Sequence, residues 1–405
     1  MSYCQMLSIV TTDAAERPMT SLAWAVLALL LALSWQFLSV HYDRKGNWTA
    51  LFLTGQDYAI PPDLAPTTYT FPGRGFDGQM YRYTAHDLFM HEGYLKYVDG
   101  PAQRYHRILV PALAYLLVAG HHPWIDASFI GVVDIFVLLG AYWLSRWAVF
   151  TGLHPAWALA FVAVPATLIS VDRMTVDIAL AAFTVAVALY WRTGAWMKLF
   201  VMLMLACLAR ETAVLLVGGC CLAELLNRRW LRVILWSCSV LPAFIWYLFI
   251  RHVLPESTHF GVPKWVASKV DFQLFQTIYN PPHYPLSPLL DTIARWGDAL
   301  SLIAILLAAI LAILFLRTRP RDPLAIASVL FAILIFLLTG KGYWNDVNGY
   351  ARVLSPLLVL VALGSMARES GVRWWVGLIP AILIDLRLSM EFAGAAGGLV
   401  RGLLR

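Results

Sequence analysis

The sequence predicts an all-α protein, a polytopic bundle of transmembrane helices, from its composition and from the spacing of its apolar runs. Of its 405 residues, 60% are apolar and 13% are charged, whereas soluble domains are about half apolar and about one quarter charged. About eleven or twelve hydrophobic segments follow one another along the chain, although the run at 108–120 is short for a membrane helix. They occupy residues 21–40, 108–120, 128–149, 155–171, 176–191, 197–209, 211–226, 233–250, 299–316, 323–339, 353–367 and 374–390. We therefore expect one integral membrane domain over residues 1–405.

Clustered arginines predict the orientation of the bundle. Three short loops, at residues 227–232, 317–321 and 368–373, carry groups of arginine, and such loops stay on the cytoplasmic side during insertion. The N-terminus lacks a basic region followed by a short apolar region and a cleavage site, so the run at 21–40 is predicted to remain as the first helix. No internal repeat is evident.

Two long polar segments, residues 41–107 and 251–298, interrupt the apolar runs. Because the other connections are short, these segments are where we expect function to lie. Counting spans from the arginine loops puts the second segment on the extracytoplasmic side, together with the polar clusters at 172–177, 210–211 and 341–352. The first segment lies on that side too if the N-terminus is cytoplasmic and one of the runs between 108 and 171, either 108–120 or 155–171, fails to cross the membrane. An inward-facing first segment is the alternative.

Cysteine usage and charge exclude several classes of protein. The five cysteines form no C-x-x-C pair, so neither a disulfide framework nor a zinc site is indicated. The net charge of +6 lies in short loops between apolar runs, where it sets orientation. Nucleic acid is therefore not an expected partner, and membrane lipids are.

The first polar segment contains a G-x-G-x-x-G pattern at Gly73, Gly75 and Gly78. A dinucleotide fingerprint requires a buried strand before it, but the prolines at 61, 62 and 66 are incompatible with a central strand. The pattern is therefore read as a tight turn that holds Asp77 beside the membrane. A simpler interpretation is that this carboxylate bonds its own backbone.

A helix is expected to follow this turn. Tyr83, Asp87 and His91 recur at intervals of four residues, which predicts a polar face on an amphipathic helix lying at the membrane surface. Asp87 and His91 could bind a metal together with His86, although polar pairs at this spacing are common on exposed helix faces. A divalent metal is left open as a cofactor, and no metal ligands are assigned.

Further charged residues stand at the ends of apolar runs. Arginines offer a planar fork that fits phosphate oxygens, although residues at helix ends also reach toward lipid headgroups and acids often begin helices. For Arg210 and Glu211 the simplest expectation is an ion pair with each other at a tight turn. The candidates outside the first turn are Arg104, Arg107, Asp172, Asp177, Arg210, Glu211 and Arg352.

Two short motifs carry a resemblance to a known family. Asp77-Gly-Gln-x-Tyr81 is followed by Arg104-x-x-Arg107-Ile-Leu-x-Pro at the start of an apolar run. The pair resembles bacterial membrane glycosyltransferases of the GT-C type, as do the Asp172-Arg173 pair and the stretch around Arg352. The motifs are short, and the chain has no Asp-x-Asp, with which some relatives hold a metal.

The resemblance implies a function and a set of roles. Enzymes of this type take a sugar from a polyprenyl-phosphate carrier on the extracytoplasmic face, and their first outer loop carries an essential acid. It implies catalytic roles for Asp77, as the base, and Asp172. It also implies a lipid or glycan acceptor, and location in the bacterial inner membrane. The residues expected to bind substrate are Gln79, Tyr81, Asp87, Arg104, Arg107, Asp177, Arg210, Glu211 and Arg352.

The sequence is also compatible with a second function. A transporter or flippase of a lipid-linked or small anionic substrate would use the same arginines, and a membrane scaffold without catalysis is a third reading. Charges gathered at one membrane face favour the enzyme, since transporters hold their substrates near the midplane at a repeat interface.

Overall fold

The protein is all-helical, as predicted. The computed structural model describes residues 18–254, 273–338, 341–367 and 373–403. In chain order, the α-helices are α1 (Pro18–Leu38), α2 (Asp77–His86), α3 (Pro101–His106), α4 (Leu109–Leu117), α5 (His122–Phe150), α6 (Pro165–Arg173), α7 (Asp177–Thr193), α8 (Trp196–Ala209), α9 (Val214–Leu226), α10 (Trp230–Cys238), α11 (Leu241–Val253), α12 (Gln273–Tyr279), α13 (Pro288–Thr318), α14 (Pro323–Leu337), α15 (Lys341–Trp344), α16 (Val347–Val353), α17 (Ser355–Met366) and α18 (Ile379–Leu403).

Short 3-10 helices and one small sheet complete the described elements. The 3-10 helices are Trp48–Phe52, Ala65–Thr67, Tyr94–Tyr97, Pro155–Phe161, Glu211–Ala213 and Val376–Leu378, and the π-helical turn Ser39–Asp43 continues α1. Strands β1 (Thr54–Gly55) and β2 (Thr70–Phe71) pair in parallel. The sheet holds together the two ends of the loop that precedes α2.

Within the described ranges, three helices are long and apolar enough to cross a membrane: Met19–Asp43, α5 and α13. Three bent pairs pass the same test if each counts as one span. They are Pro155–Phe161 with α6, α10 with α11, and α16 with α17, bent by 58°, 41° and 53°. By length and composition the described chain thus offers three to six spans, fewer than the eleven or twelve hydrophobic segments of the sequence.

The remaining apolar runs form shorter helices. Helices α7, α8, α9 and α14 contain 17, 14, 13 and 15 residues, so they are about 20 to 26 Å long at 1.5 Å per residue. The run at 108–120 forms only α4, whose nine residues extend about 14 Å, roughly half of the hydrocarbon layer. Of the two runs that were candidates for an incomplete crossing, this one is too short.

Helix α7 lies at the centre of the bundle. Its first thirteen residues, from 177 to 189, are all buried, as expected for a helix that is apolar on every side. It packs against α5, α8 and α17. Since Asp177 is its first residue, the centre of the bundle begins with a buried carboxylate.

The first polar segment covers one end of the bundle. Helix α2 packs against α4 and α5, and its residues 78–86 are all buried, so the expected amphipathic surface helix is wrong. The predicted polar face of Tyr83, Asp87 and His91 does not form either. The helix ends at His86, and Asp87 has a non-helical backbone with φ −132° and ψ 61°. Asp87 and His91 therefore do not continue the helix that carries Tyr83.

The second polar segment, residues 251–298, is shorter than predicted. Helix α11 continues to Val253 and α13 begins at Pro288, so the last eleven residues of this segment belong to a long helix. Residues 255–272 of the segment, and residues 368–372 of the third arginine loop, lie outside the described part of the chain.

Two glycines of the G-x-G-x-x-G pattern are required by close backbone contacts. Gly75 has φ +69°, which residues with a side chain rarely adopt. A Cβ on Gly78 would stand 2.1 Å from the carbonyl oxygen of Arg173. The absence of a side chain therefore lets the first turn of α2 rest directly on the end of α6, which explains the glycines without a nucleotide.

Gly78→Ala is expected to destabilise the protein by about 1–3 kcal/mol, the usual cost of forcing extra atoms into a packed site. The measurement is the midpoint of thermal unfolding in detergent. Gly131→Ala in α5 is the control, because a Cβ there meets nothing within 4 Å. Equal midpoints for the two variants would contradict the close approach of α2 and α6.

Candidate active site

Five separate elements bring charged side chains together at one end of the bundle. Asp77 begins α2, Arg104 lies in α3, and Asp177 begins α7. Arg210 lies between α8 and the 3-10 helix that follows it, and Arg352 lies in the last turn of α16. The first and last of these residues, Asp77 and Arg352, are far apart in the sequence, so only the fold brings them into contact.

Asp77 lies between two arginines. Its Oδ1 accepts a hydrogen bond of 2.7 Å from Nη2 of Arg104, and its Oδ2 is paired with Nη2 of Arg352. Arg352 also approaches Asp177, with 3.6 Å between Nη1 and Oδ2, and Asp177 is paired with Arg210. Each of the two aspartates is thus shared by two guanidinium groups.

A second ion pair adjoins this chain of charges. Arg107 donates two hydrogen bonds to Glu211, of 2.9 Å from Nε and 2.5 Å from Nη2, in the parallel geometry that makes such pairs strong. Its Nη1 donates to the hydroxyl of Tyr81 at 2.9 Å. The guanidinium of Arg104 lies 5.3 Å from the centre of the Tyr81 ring. We call this set the arginine cluster: Asp77, Tyr81, Arg104, Arg107, Asp177, Arg210, Glu211 and Arg352.

The charges of the arginine cluster balance once Asp99 is included. Asp99 accepts a 2.8 Å hydrogen bond from Nε of Arg104. Four arginines are then matched by four carboxylates, those of residues 77, 99, 177 and 211. An anion that binds here must therefore take an arginine away from a carboxylate.

Two carboxylates of the arginine cluster reach its accessible side. The side chains of Asp77 and Glu211 are 20% and 25% exposed, whereas that of Asp177 is 1% exposed. A buried carboxylate paired with arginines mainly holds the elements together, while a partly exposed one can also meet a ligand. Asp77 and Glu211 are thus the acids that a substrate can reach.

The arginines control the ionisation of both accessible acids. Burial alone would raise the pKa of the Asp77 carboxyl, but the charges of Arg104 and Arg352 hold it well below its ordinary value. Burial likewise opposes ionisation of Glu211, and Arg107 nevertheless lowers its pKa to about 2. With these pairs intact, Asp77 is ionised but is a weak base.

Some candidates from the sequence do not join the arginine cluster. Both oxygens of Asp87 accept backbone N–H bonds, from residues 91, 92 and 94, so this carboxylate organises the loop after α2. The side-chain amide of Gln79 accepts from the backbone of Gly55 and donates to that of Arg74. The polar atoms of both side chains are therefore used by the backbone of the first polar segment and not by the arginine cluster.

Asp172 lies beside the arginine cluster and has partners of its own. Its Oδ1 accepts a hydrogen bond of 3.1 Å from the indole of Trp35, and its Oδ2 lies 3.4 Å from Nε of Arg173. The carboxylate is 15% exposed. These contacts fix the end of α6, on which α2 rests, so the structure brings Asp172 near Asp77 without an ion pair between Asp172 and the arginine cluster.

The expected ion pair between Arg210 and Glu211 is wrong. Arg210 pairs with Asp177, and Glu211 pairs with Arg107. Arg210 has an extended backbone and Glu211 begins a 3-10 helix, and each side chain finds a partner from a distant element. The sequence indicated that these charges were unusual at this place but could not identify the partners.

Sequence reasoning missed two other contributors. The ring of Phe76 lies between two arginines, with the guanidinium carbons of Arg173 and Arg352 4.8 Å and 4.9 Å from its centre. Glu391 in α18 accepts from Arg173 at 3.1 Å and from Asn348 at 3.4 Å. The position of Phe76 directly before Asp77 was the only available signal, since Glu391 lies far away in sequence.

The residues that the structure describes contain no group of three or more His, Cys, Asp or Glu side chains that could hold a metal ion. Asp87 is engaged by the loop backbone, as described above. His86 faces Asp126, with 3.0 Å between Nε2 and Oδ1. The suggested combination of Asp87 and His91 with His86 therefore does not form.

The arginine cluster and two arginine-rich loops lie at opposite ends of the helices. Asp177 begins α7, whereas Arg192 stands fifteen residues later, about 23 Å along the helix axis, and pairs with Asp322. Glu224 near the end of α9 pairs with Arg232 in the loop region at 227–232. The arginine cluster and these two loops are thus separated along the helices, and the sides of the membrane on which they lie stay a prediction.

Comparison of the chain with protein-family models, with curated proteins and with solved structures finds no match.

Glu211→Gln is expected to lower thermal stability in a pH-dependent manner. Folding lowers the pKa of Glu211 from its ordinary value of 4.5 to about 2, so its ion pair stabilises the fold fully above about pH 5 and is lost as the pH falls toward 2. The difference between wild-type and variant unfolding midpoints should therefore be largest near neutrality and shrink below about pH 4. A difference that stays constant over this range would contradict the assignment.

Proposed function

We propose that the protein is a membrane glycosyltransferase that takes a sugar from a polyprenyl-phosphate donor and transfers it to a hydroxyl of a lipid or glycan acceptor. The observation that carries the proposal is the partly exposed carboxylate of Asp77 between Arg104 and Arg352. Transfer from a lipid phosphate requires a base for the acceptor and cations for the departing phosphate. Asp77 supplies the first, and its two partners supply the second.

The arginines have hydrogen-bonding capacity to offer an anion. Among the described residues, Nε of Arg210 and Nε of Arg352 are buried and have no hydrogen-bond partner, so a phosphate could bond them once it has displaced a carboxylate. A phosphate group presents several oxygens, and a guanidinium can bind two of them at once. Arg352 is the best placed for this role, because it is half of the pair that holds Asp77 and is near the accessible side of the arginine cluster.

Donor binding would convert Asp77 into a base. While Arg104 and Arg352 hold the carboxylate, its pKa is too low for it to accept a proton readily. A phosphate that draws Arg352 to itself removes one of these charges and adds a negative one, and both changes raise the pKa of Asp77. The base thus becomes effective only when the donor is in place.

The proposed reaction is a single displacement. The acceptor hydroxyl gives its proton to Asp77, and its oxygen forms a bond to the anomeric carbon of the sugar. The bond between this carbon and the phosphate oxygen breaks, and the polyprenyl phosphate leaves with the electron pair, its charge stabilised by the arginines. One displacement inverts the configuration at the anomeric carbon.

The site would face the extracytoplasmic side of the inner membrane. This orientation is supported by the loops at 227–232 and 317–321, which lie at the opposite end of the helices from the arginine cluster. Arginine-rich loops stay in the cytoplasm, so the arginine cluster would lie on the other side. The polyprenyl chain would lie in the bilayer beside the bundle. Its phosphate would then be at the level of the arginine cluster.

Transport of a lipid-linked anion is the alternative. The arginine cluster lies at the helix ends, whereas transporters hold substrates near the midplane, so this observation favours the enzyme. In sealed vesicles, an enzyme releases free polyprenyl phosphate and a glycosylated acceptor, while a transporter moves the intact donor between leaflets. Movement without bond cleavage would overturn the proposed reaction.

Asp77→Asn is expected to reduce sugar transfer by about a hundredfold or more, the usual contribution of a well-placed base. Reconstituted protein is supplied with a panel of polyprenyl-phosphate sugars, and the release of polyprenyl phosphate is measured. Asp99→Asn is the matched control, because Asp99 pairs with the same Arg104 but its side chain is 39% exposed. Substantial turnover by Asp77→Asn would remove this residue from the role of base.

Arg352→Gln is expected to weaken donor binding by about tenfold to a hundredfold, because it removes a charged hydrogen-bond donor. Binding of polyprenyl phosphate to protein in nanodiscs measures the effect. Arg192→Gln is the control, since it breaks the ion pair with Asp322 at the other end of α7. Equal affinities of the two variants would count against a phosphate site at Arg352.

A further inference from the structure

A cavity lies at the far end of α2 from Asp77. It has a volume of about 860 Å³, it is open on one side, and it lies between α1, α5 and the loop segments that precede α2. His86, the last residue of α2, is in its wall. Because Asp77 and His86 are nine residues apart in one helix, the two regions are separated by about 14 Å. The cavity is therefore distinct from the arginine cluster.

One end of this cavity is polar and has no excess charge of its own. His86 lies 3.3 Å from His122 between their Nδ1 atoms and 3.0 Å from Oδ1 of Asp126. Asp126 also accepts two hydrogen bonds from Arg82, of 2.8 and 2.7 Å. The buried guanidinium of Arg82 balances the carboxylate from behind, so this end offers imidazoles that can donate or accept hydrogen bonds.

A second polar point lies deeper, within the membrane helices. Gln36 of α1 is fully buried, and its Nε2 donates to Oδ1 of Asp134 at 3.0 Å. Its Oε1 has no hydrogen-bond partner among the described residues, and both side chains are in the cavity wall. Polar groups at this depth are costly unless they are bonded. A ligand with hydroxyl groups would provide the missing donor.

The rest of the wall is apolar and aromatic. Leu33, Ile130 and the 42% exposed Trp48 contribute to it, and an indole can pack against the C–H face of a sugar ring. None of the residues described as lining the cavity is Lys or Arg. The wall carries carboxylates at positions 63, 126 and 134, of which only Asp126 is paired with an arginine, so an anionic head would find no positive partner in the described wall.

We infer that this cavity binds an amphiphile with an uncharged, hydroxyl-rich head group, its hydroxyls on the imidazoles and on the Gln36–Asp134 pair. A cation is not favoured, because each carboxylate of the wall already accepts a hydrogen bond: Asp126 from Arg82, Asp63 from Tyr94 and Asp134 from Gln36. Hydroxyls both donate and accept hydrogen bonds, as imidazoles, amide and carboxylates together require. The inference does not depend on the proposed transferase reaction.

The structure provides a position at which a side chain can be added inside the cavity without a clash at its Cβ. Gly131 of α5 lines the cavity, and a Cβ on it would meet nothing within 4 Å. Gly131→Leu adds four carbon atoms on the face of α5 that lines the cavity, and we expect them to obstruct a ligand there. Ile135→Phe is the matched control, because Ile135 lies four residues later in α5, is 46% exposed, and does not line the cavity.

The test uses a dodecyl glucoside with a photoreactive group in its chain, added to the protein in lipid nanodiscs. Labelled peptides are expected to come from α1 and α5, and unlabelled dodecyl glucoside should compete. Gly131→Leu should reduce labelling by about tenfold or more, with an unchanged unfolding midpoint, and Ile135→Phe should label as wild type does. Undiminished labelling of Gly131→Leu would overturn the inference.

A second variant and two other probes test the chemistry of the head group. Gln36→Met keeps the size of the side chain but removes its amide, and we expect about tenfold weaker competition by dodecyl glucoside. Dodecyl phosphate and dodecyltrimethylammonium should compete poorly. If either charged probe competes as well as the glucoside, or if Gln36→Met has no effect, an uncharged hydroxylated ligand is ruled out.

Discussion

The ion pairs of Asp77 with Arg104 and Arg352 are the interaction on which the end of the bundle depends. Removing one member of a fully buried ion pair costs about 3–5 kcal/mol because it leaves an uncompensated charge, and the cost is smaller for Asp77, which is 20% exposed. The two pairs join α2, α3 and α16, and the link from Arg352 to Asp177 extends them to the central helix. A large part of the first polar segment is therefore held in place by charges, above a core that is held by apolar packing.

Composition was sufficient to predict the fold class, and the rarity of charge was sufficient to find most of the candidate site. In a chain this apolar, charges near membrane helices must find one another, so Asp77, Arg104 and Arg352 could be grouped from the sequence. Their pairing could not, because it depends on contacts between distant elements. Arg210 and Glu211 illustrate this limit, since they are neighbours in the chain with separate partners.

Local patterns were misleading where the loop backbone competed for a side chain. The spacing of Tyr83, Asp87 and His91 fits a helix, yet Asp87 binds three backbone N–H groups and closes the loop instead. The glycine pattern also looks like a local sequence motif, but a contact between distant elements explains it. A side chain on Gly78 would collide with a backbone carbonyl oxygen of α6. Both features depend on which elements pack around α2, and neither could be read from periodicity.

The balance of four arginines by four carboxylates has a consequence for how a ligand arrives. A set of matched charges produces only a weak field beyond a few ångströms, so it cannot accelerate encounter over long distances as an unbalanced basic surface does. Attraction begins only after contact, when one partner is exchanged for another. The rate of capture should thus depend little on ionic strength and should follow diffusion of the ligand within the plane of the bilayer.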